Sequence, residues 1–258
     1  GVFAGTIGGG AAEKRLLERA LRHDGPPVLV RFRHTPEADG TLCAGEQVFA
    51  INSLTRIDGE EIASMVESLG RHEVGTLSLS SEGLRFSPGE AKSHRFVDDG
   101  TAWSYEGPVG LLDTLTIVGG GHVALALSRV MATLPFRISV LDNRPDLPTM
   151  AANSFAHERR VVDYGRIADE VPAGERSWVT IMTFGHEHDR RVLEGLLGRR
   201  YAYLGLMGSR AKVARMLADF RRNGITEEHL AAVRAPIGLA IGSHTPEEIA
   251  VSIAAEII

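Results

Sequence analysis

Residues 115–124 join an apolar run, Leu-Thr-Ile-Val, to Gly119-Gly120-Gly121-His122-Val123-Ala124. A Gly-x-Gly-x-x-Ala spacing after such a run suits a strand-to-helix turn that cradles a pyrophosphate. Gly119 permits the tight turn, Gly121 lets backbone approach a phosphate, and Ala124 lets the helix pack on the strand. His122 would donate to a phosphate from the helix start, or stand there as an exposed first residue. Asp142 closes the next apolar run, where an acid accepts from a ribose hydroxyl. It would alternatively cap a turn with Asn143 and Pro145. Arg144 follows and would reach a phosphate ester, or lie on the surface as an ordinary arginine.

Other groups stand where strands are expected to end. Gly185-His186-Glu187-His188-Asp189 places two imidazoles and two carboxylates on one short stretch. A metal is not assigned, because no further ligand pair at zinc-binding spacing accompanies them. Ligand contact by Gly185, His186 and His188 is the reading, with Asp189 also suited to capping the following helix. Gly208-Ser209-Arg210-Ala211-Lys212 offers a hydroxyl, two cations and helix amides, which suits an anion, or equally an N-cap followed by a solvated face. Gly8, Gly9 and Gly10 form a loop without bulk, and Cys43 is the one cysteine. Gly-x-Ser-x-Gly, a Gly-x-x-x-x-Gly-Lys-Ser/Thr loop and paired cysteines are absent, so serine-hydrolase and phosphate-loop readings have no anchor, and no Tyr-x-x-x-Lys pair announces a hydride-transfer set.

The elements that must position these residues fall into two patterns. Before residue 107, helical periodicity covers about 11–21 and 57–69. Short strands cover 28–32 and 46–52, and 76–80 with 84–87 reads as a hairpin around Ser-Glu-Gly. This predicts a small α+β domain over 1–106. Gly107 and Pro108 punctuate a linker over 107–113. From 114 to 258 apolar runs at 115–118, 138–141, 161–162, 179–182 and 202–206 alternate with helical faces. Thr245-Pro246-Glu247-Glu248 predicts a capping box opening the last helix. The expected fold class is α/β, a Rossmann-like doubly wound parallel sheet following the smaller domain. The chain opens on Gly1 in what reads as the middle of a strand, so a natural N-terminus is expected to be missing.

The chain has 258 residues, 43% hydrophobic and 24% charged, with net charge −5. That composition suits a globular core and gives nucleic acid and anionic membranes no support. No run approaches the roughly 18 apolar residues of a membrane span. A single cysteine allows no intrachain disulfide and fits a cytoplasmic location.

The sequence resembles the XdhC/CoxI family, accessory proteins of molybdenum hydroxylases such as xanthine dehydrogenase. The matching stretches are Gly5-Thr-Ile-Gly-Gly-Gly10, Cys43-Ala-Gly45, Ile117-Val-Gly-Gly-Gly-His-Val123, Leu134-Pro-Phe-Arg137 and Asp142-Asn-Arg-Pro145. They continue through Gly185-His-Glu-His-Asp189, Tyr203-Leu-Gly-Leu-Met-Gly-Ser-Arg210, Ala235-Pro-Ile-Gly238 and Thr245–Ala255. The resemblance implies a chaperone rather than an enzyme. It would bind the molybdenum cofactor (molybdopterin carrying Mo) as cargo, support its sulfuration by a cysteine desulfurase, and insert it into a molybdenum hydroxylase client. A homodimer is implied as well. Where some members carry Gly-Gly-Cys, this chain has Gly8-Gly9-Gly10. On this reading the glycine turn, Arg144 and residues 208–212 hold the cofactor's phosphate, and Gly8–Gly10 with Cys43 meet its dithiolene end.

Two further readings compete. An NAD(P)-dependent oxidoreductase would rest on Gly119, Gly121 and Asp142, with His186 or His188 as proton donor. A regulatory nucleotide-binding module would act through protein contacts alone.

Overall fold

The computed structural model describes residues 4–7, 10–34, 45–55 and 58–258. The chain divides into two units, residues 1–110 and residues 111–258.

In the first unit, α1 (Gly10–Ala20) precedes an antiparallel pair, β1 (Val28–His34) with β2 (Gly45–Ile51). After α2 (Gly59–Gly70) come β3 (Gly75–Ser80), β4 (Gly83–Pro88), β5 (Arg95–Asp98) and β6 (Trp103–Val109). These four make an antiparallel sheet of order β4-β3-β6-β5. The expected hairpin is present, with Ser80 opposite Gly83. The Glu61 carboxylate accepts the Phe86 N–H at 2.8 Å and ties α2 to β4. Val66 and Leu69 on α2 remain exposed, so its apolar face is only partly covered.

The expected linker is largely strand. Gly107 and Pro108 pair with Leu77 and Thr76 inside β6. Pairing of β6 with β5 ends at Glu106, so Pro108 lies where the strand has one neighbour. A residue without an N–H is tolerated there.

The second unit is a βα alternation. Its strands are β7 (Asp113–Val118), β8 (Phe136–Asp142), β9 (Glu158–Val161), β10 (Gly174–Ile181), β11 (Tyr201–Leu206) and β12 (Val233–Arg234). All pair in parallel, in the order β9-β8-β7-β10-β11-β12. That is the 3-2-1-4-5-6 order of dinucleotide-binding sheets. The helices are α3 (His122–Met131), α4 (Pro148–Ala151), α5 (Ile167–Glu170), α6 (His186–Leu196), α7 (Arg210–Arg222), α8 (Glu227–Ala231) and α9 (Pro246–Ile257).

Strand side chains alternate between two apolar cores. Leu115, Ile117, Ile138 and Val140 pack with Leu127 and Met131 of α3 and Ile253 and Ile257 of α9. Val118, Leu141, Val179 and Ile181 pack with Leu193 and Leu196 of α6 and Met216 and Phe220 of α7. A parallel strand covered on both faces buries successive residues, as β7 does from Leu115 to Val118. Each fully buried Leu, Ile or Met contributes about 1.5–3 kcal/mol. The capping box opens α9 as expected: Thr245 Oγ1 accepts from Glu248 N, and Glu248 Oε2 accepts from Thr245 N.

The expected strand at 161–162 lies earlier, at 158–161. Its Glu-Arg-Arg composition hides it, since an edge strand carries charge on its open side. Among the described residues no helix is long and apolar enough to cross a membrane.

Candidate functional site

The strand order reverses between β7 and β10, and a crevice opens beyond the carboxyl ends of such neighbouring strands. Gly119 takes φ +110° there, and a Cβ on it would lie 2.4 Å from the Met182 carbonyl oxygen. The approach of the β7 turn to the end of β10 therefore demands this glycine, whatever binds above it. Gly121 differs: a Cβ on it would meet nothing within 4 Å. It is the N-cap of α3 and no side chain caps the helix, so the first amides of α3 are left to solvent or a ligand.

A pocket of about 390 Å³ occupies this crevice, lined by Gly121, His122, Arg144, Thr149, Thr183 and Phe184 among others. His122 is the exposed first residue of α3. Phe184 follows the end of β10 and is 76% exposed. The Arg144 guanidinium carbon stands 5.7 Å from its ring centroid, a cation–π distance. The pocket therefore has one open glycine wall and one aromatic-cationic wall.

Asp142 does not face that pocket as a vacant acceptor. Its side chain is fully buried. Oδ1 accepts from Arg144 N at 2.9 Å and Arg144 Nε at 2.8 Å. Oδ2 accepts from Gly120 N at 2.7 Å and Arg144 Nη2 at 2.8 Å. A carboxylate offers about four acceptor directions, and all four are filled. Burial opposes ionisation, but the bonds from Arg144 and the Gly120 amide outweigh it and hold the carboxyl below its usual range. The ribose-reading acid and the phosphate-reading arginine expected from sequence are thus bonded to each other. Arg144 stands two residues from Asp142 across a turn, within reach for the guanidinium to fold back onto the buried carboxylate bidentately.

A second buried acid joins β10 to α7. Asp189 Oδ1 accepts from Thr183 N at 2.9 Å and Thr183 Oγ1 at 2.6 Å, and Oδ2 accepts from Lys212 Nζ at 2.5 Å. Asp189 is not an N-cap; Gly185 is, with φ +101°, in the left-handed region that favours glycine. His186 opens α6, and His188 packs edge-on against the Tyr164 ring with centroids 5.8 Å apart. Ser209 caps α7 by accepting from Lys212 N at 3.2 Å. Arg210 is exposed at the helix start. Gly208 to Lys212 and Gly185 to His188 do not line the switch-point pocket; they connect to it through Asp189 and Thr183. Among the described residues no group of three or more His, Cys, Asp or Glu is placed to hold a metal.

The family model described as the XdhC Rossmann domain matches residues 115–257. The chain belongs to the XdhC family. It is 34% identical over 154 residues to the uncharacterized protein YqeB of Escherichia coli K12, covering 58% of this chain and 27% of that one. It is 28% identical over 144 residues to a probable xanthine dehydrogenase subunit of Bacillus subtilis 168, covering 56% of this chain and 42% of that one. The matched region thus spans less than half of either relative. A Bacillus halodurans crystal structure described as a xanthine dehydrogenase superposes with TM-score 0.75 at 21% identity, over 98% of this chain and 81% of that one. At that identity the likeness concerns the fold.

In this XdhC-family chain, Gly8, Gly9 and Cys43 lie outside the described residues, and Gly10 begins α1. Phe184, Thr183 and Thr149 line the pocket without having been singled out in the sequence. Thr183 and Phe184 carry one signal: they directly follow an apolar strand that ends at the crevice. Thr149 carries none, since its hydroxyl reaches the Gly120 carbonyl only through the tertiary fold.

Proposed function

We propose that this chain carries molybdopterin as cargo, supports its sulfuration and delivers it to a xanthine dehydrogenase-like molybdenum hydroxylase, without itself turning over a substrate. Membership of the XdhC family supports the link to such a client, as does the name of the Bacillus subtilis relative. One observation carries the reading: the switch-point pocket has an open wall at Gly121, where a phosphate approaches backbone, and an exposed ring at Phe184, on which a flat heterocycle stacks. At about 390 Å³ it is of ligand size. A cysteine desulfurase as sulfur donor and a homodimer as working form belong to the same proposal.

The NAD(P) reading loses its recognition residue, because Asp142 is filled by Arg144 and Gly120. The test is to express the chain in a host that makes molybdenum cofactor and purify it. Bound pterin is then measured by oxidation to its fluorescent derivative. Near-stoichiometric pterin, lost in Gly121→Val, is the expected result. Absence of pterin together with NADH oxidation would sink the proposal.

A further inference from the structure

In a sheet of this strand order, the acid ending the second strand reads a nucleoside ribose through its 2′-hydroxyl. Here that acid is Asp142, and it has nothing left to offer. Three of its four acceptor directions hold Arg144, through the backbone N, Nε and Nη2, and the fourth holds the Gly120 amide. An incoming ribose would have to displace a charge-assisted fork from a fully buried carboxylate and replace it by a neutral hydroxyl. That exchanges stronger bonds for a weaker one. The guanidinium also lies over the Phe184 ring, 5.7 Å from its centroid. The wall at Gly121 is unaffected, so closure falls on the ribose side of the pocket alone.

We infer that Arg144 is a specificity-determining residue: by sealing Asp142 it excludes nucleoside riboses from the switch-point pocket and leaves it to phosphorylated rings that bring no ribose to Asp142. The inference rests on the reading of this pocket as a site for a phosphorylated ring. It narrows that class to ligands such as a phosphomonoester of a flat heterocycle. NAD(H) and other adenine dinucleotides in the usual ribose-reading pose are shut out.

The test compares ADP with 2′-deoxy-ADP by calorimetry on the whole chain. Sealing predicts that both bind equally weakly, within about three-fold, or that neither binds. A preference for ADP of more than about three-fold means that the 2′-hydroxyl is being read and overturns the inference. Arg144→Ala frees Asp142, so ADP is expected to gain at least about ten-fold over 2′-deoxy-ADP. A folded Arg144→Ala protein that still does not distinguish them also overturns it. Arg144→Lys keeps the charge but loses the planar fork, and is expected to open the site in part if the alanine variant does not fold. The wild-type comparison decides in either case. Pterin retention is measured separately, so failure of the carrier reading and failure of ribose exclusion give different results.

Discussion

Arg144 Nε and Nη2 reach the two oxygens of Asp142 at 2.8 Å each, closing a bidentate ion pair across a turn of two residues. One member is fully buried and the other 39% exposed, so water can recover the guanidinium but not the carboxylate. Loss of the arginine is therefore the worse injury. Arg144→Ala is expected to cost about 2–3 kcal/mol, below the range for a fully buried pair because Arg144 is partly solvated. Urea denaturation with an unchanged slope measures it, and a loss under about 0.5 kcal/mol would contradict this account.

The same pair predicts a pH effect. The folded carboxyl of Asp142 is held below its usual value, about 3.9 in the unfolded chain. Its contribution is whole above that unfolded value and is lost as pH falls through the lower folded value. Asp142→Asn removes this part of the acid dependence. Urea midpoints of wild type and variant, followed from pH 5 downward, should converge on acidification. Parallel curves would show that the pair does not titrate with folding.

Gly119 and Gly121 separate architecture from binding. A methyl on Gly119 meets the Met182 carbonyl at 2.4 Å with φ +110°, so Gly119→Ala is expected to cost about 2–5 kcal/mol or to abolish folding. Gly121→Ala meets open space and should stay within about 0.5 kcal/mol of wild type. Pterin retention is expected to fall in that stable variant. Equal melting temperatures for the two would refute the distinction.

Asp189 holds Thr183 and Lys212 together while itself 1% exposed. Asp189→Ala should cost about 2–4 kcal/mol, since it leaves the Thr183 amide and Lys212 without their acceptor. A double-mutant cycle with Lys212→Met is expected to give a coupling of about 1–2 kcal/mol. Additive effects would mean that the contact contributes nothing beyond packing.

Glu248 closes the box that opens α9, and its carboxyl is held below the usual range by the His244 and Thr245 amides. Glu248→Ala removes one half of the box and is expected to lower the melting temperature at neutral pH, and an unchanged melting temperature would count against the box.

The alternation of strands and helices from residue 114 onward, the glycine turn at 119–121 and the cap at Thr245 are all legible in the amino-acid sequence. Each is a local signal: periodicity, a required positive φ, or a side chain within three residues of the amide that it caps. The sequence could not separate the roles of Gly119 and Gly121, because the Met182 carbonyl that forbids a side chain at Gly119 arrives from just past the end of β10, more than 60 residues away. It missed β5 and β6 and set the charged edge strand β9 too late, at 161–162, because such compositions read as loop until a neighbouring strand supplies the hydrogen bonds. It placed Asp142 and Arg144 at the right corner as two ligand-binding groups. That they bind each other emerges only in the folded chain. The Gly120 amide and the burial of Asp142 make the carboxylate a partner worth holding, and Arg144 is the cation in reach.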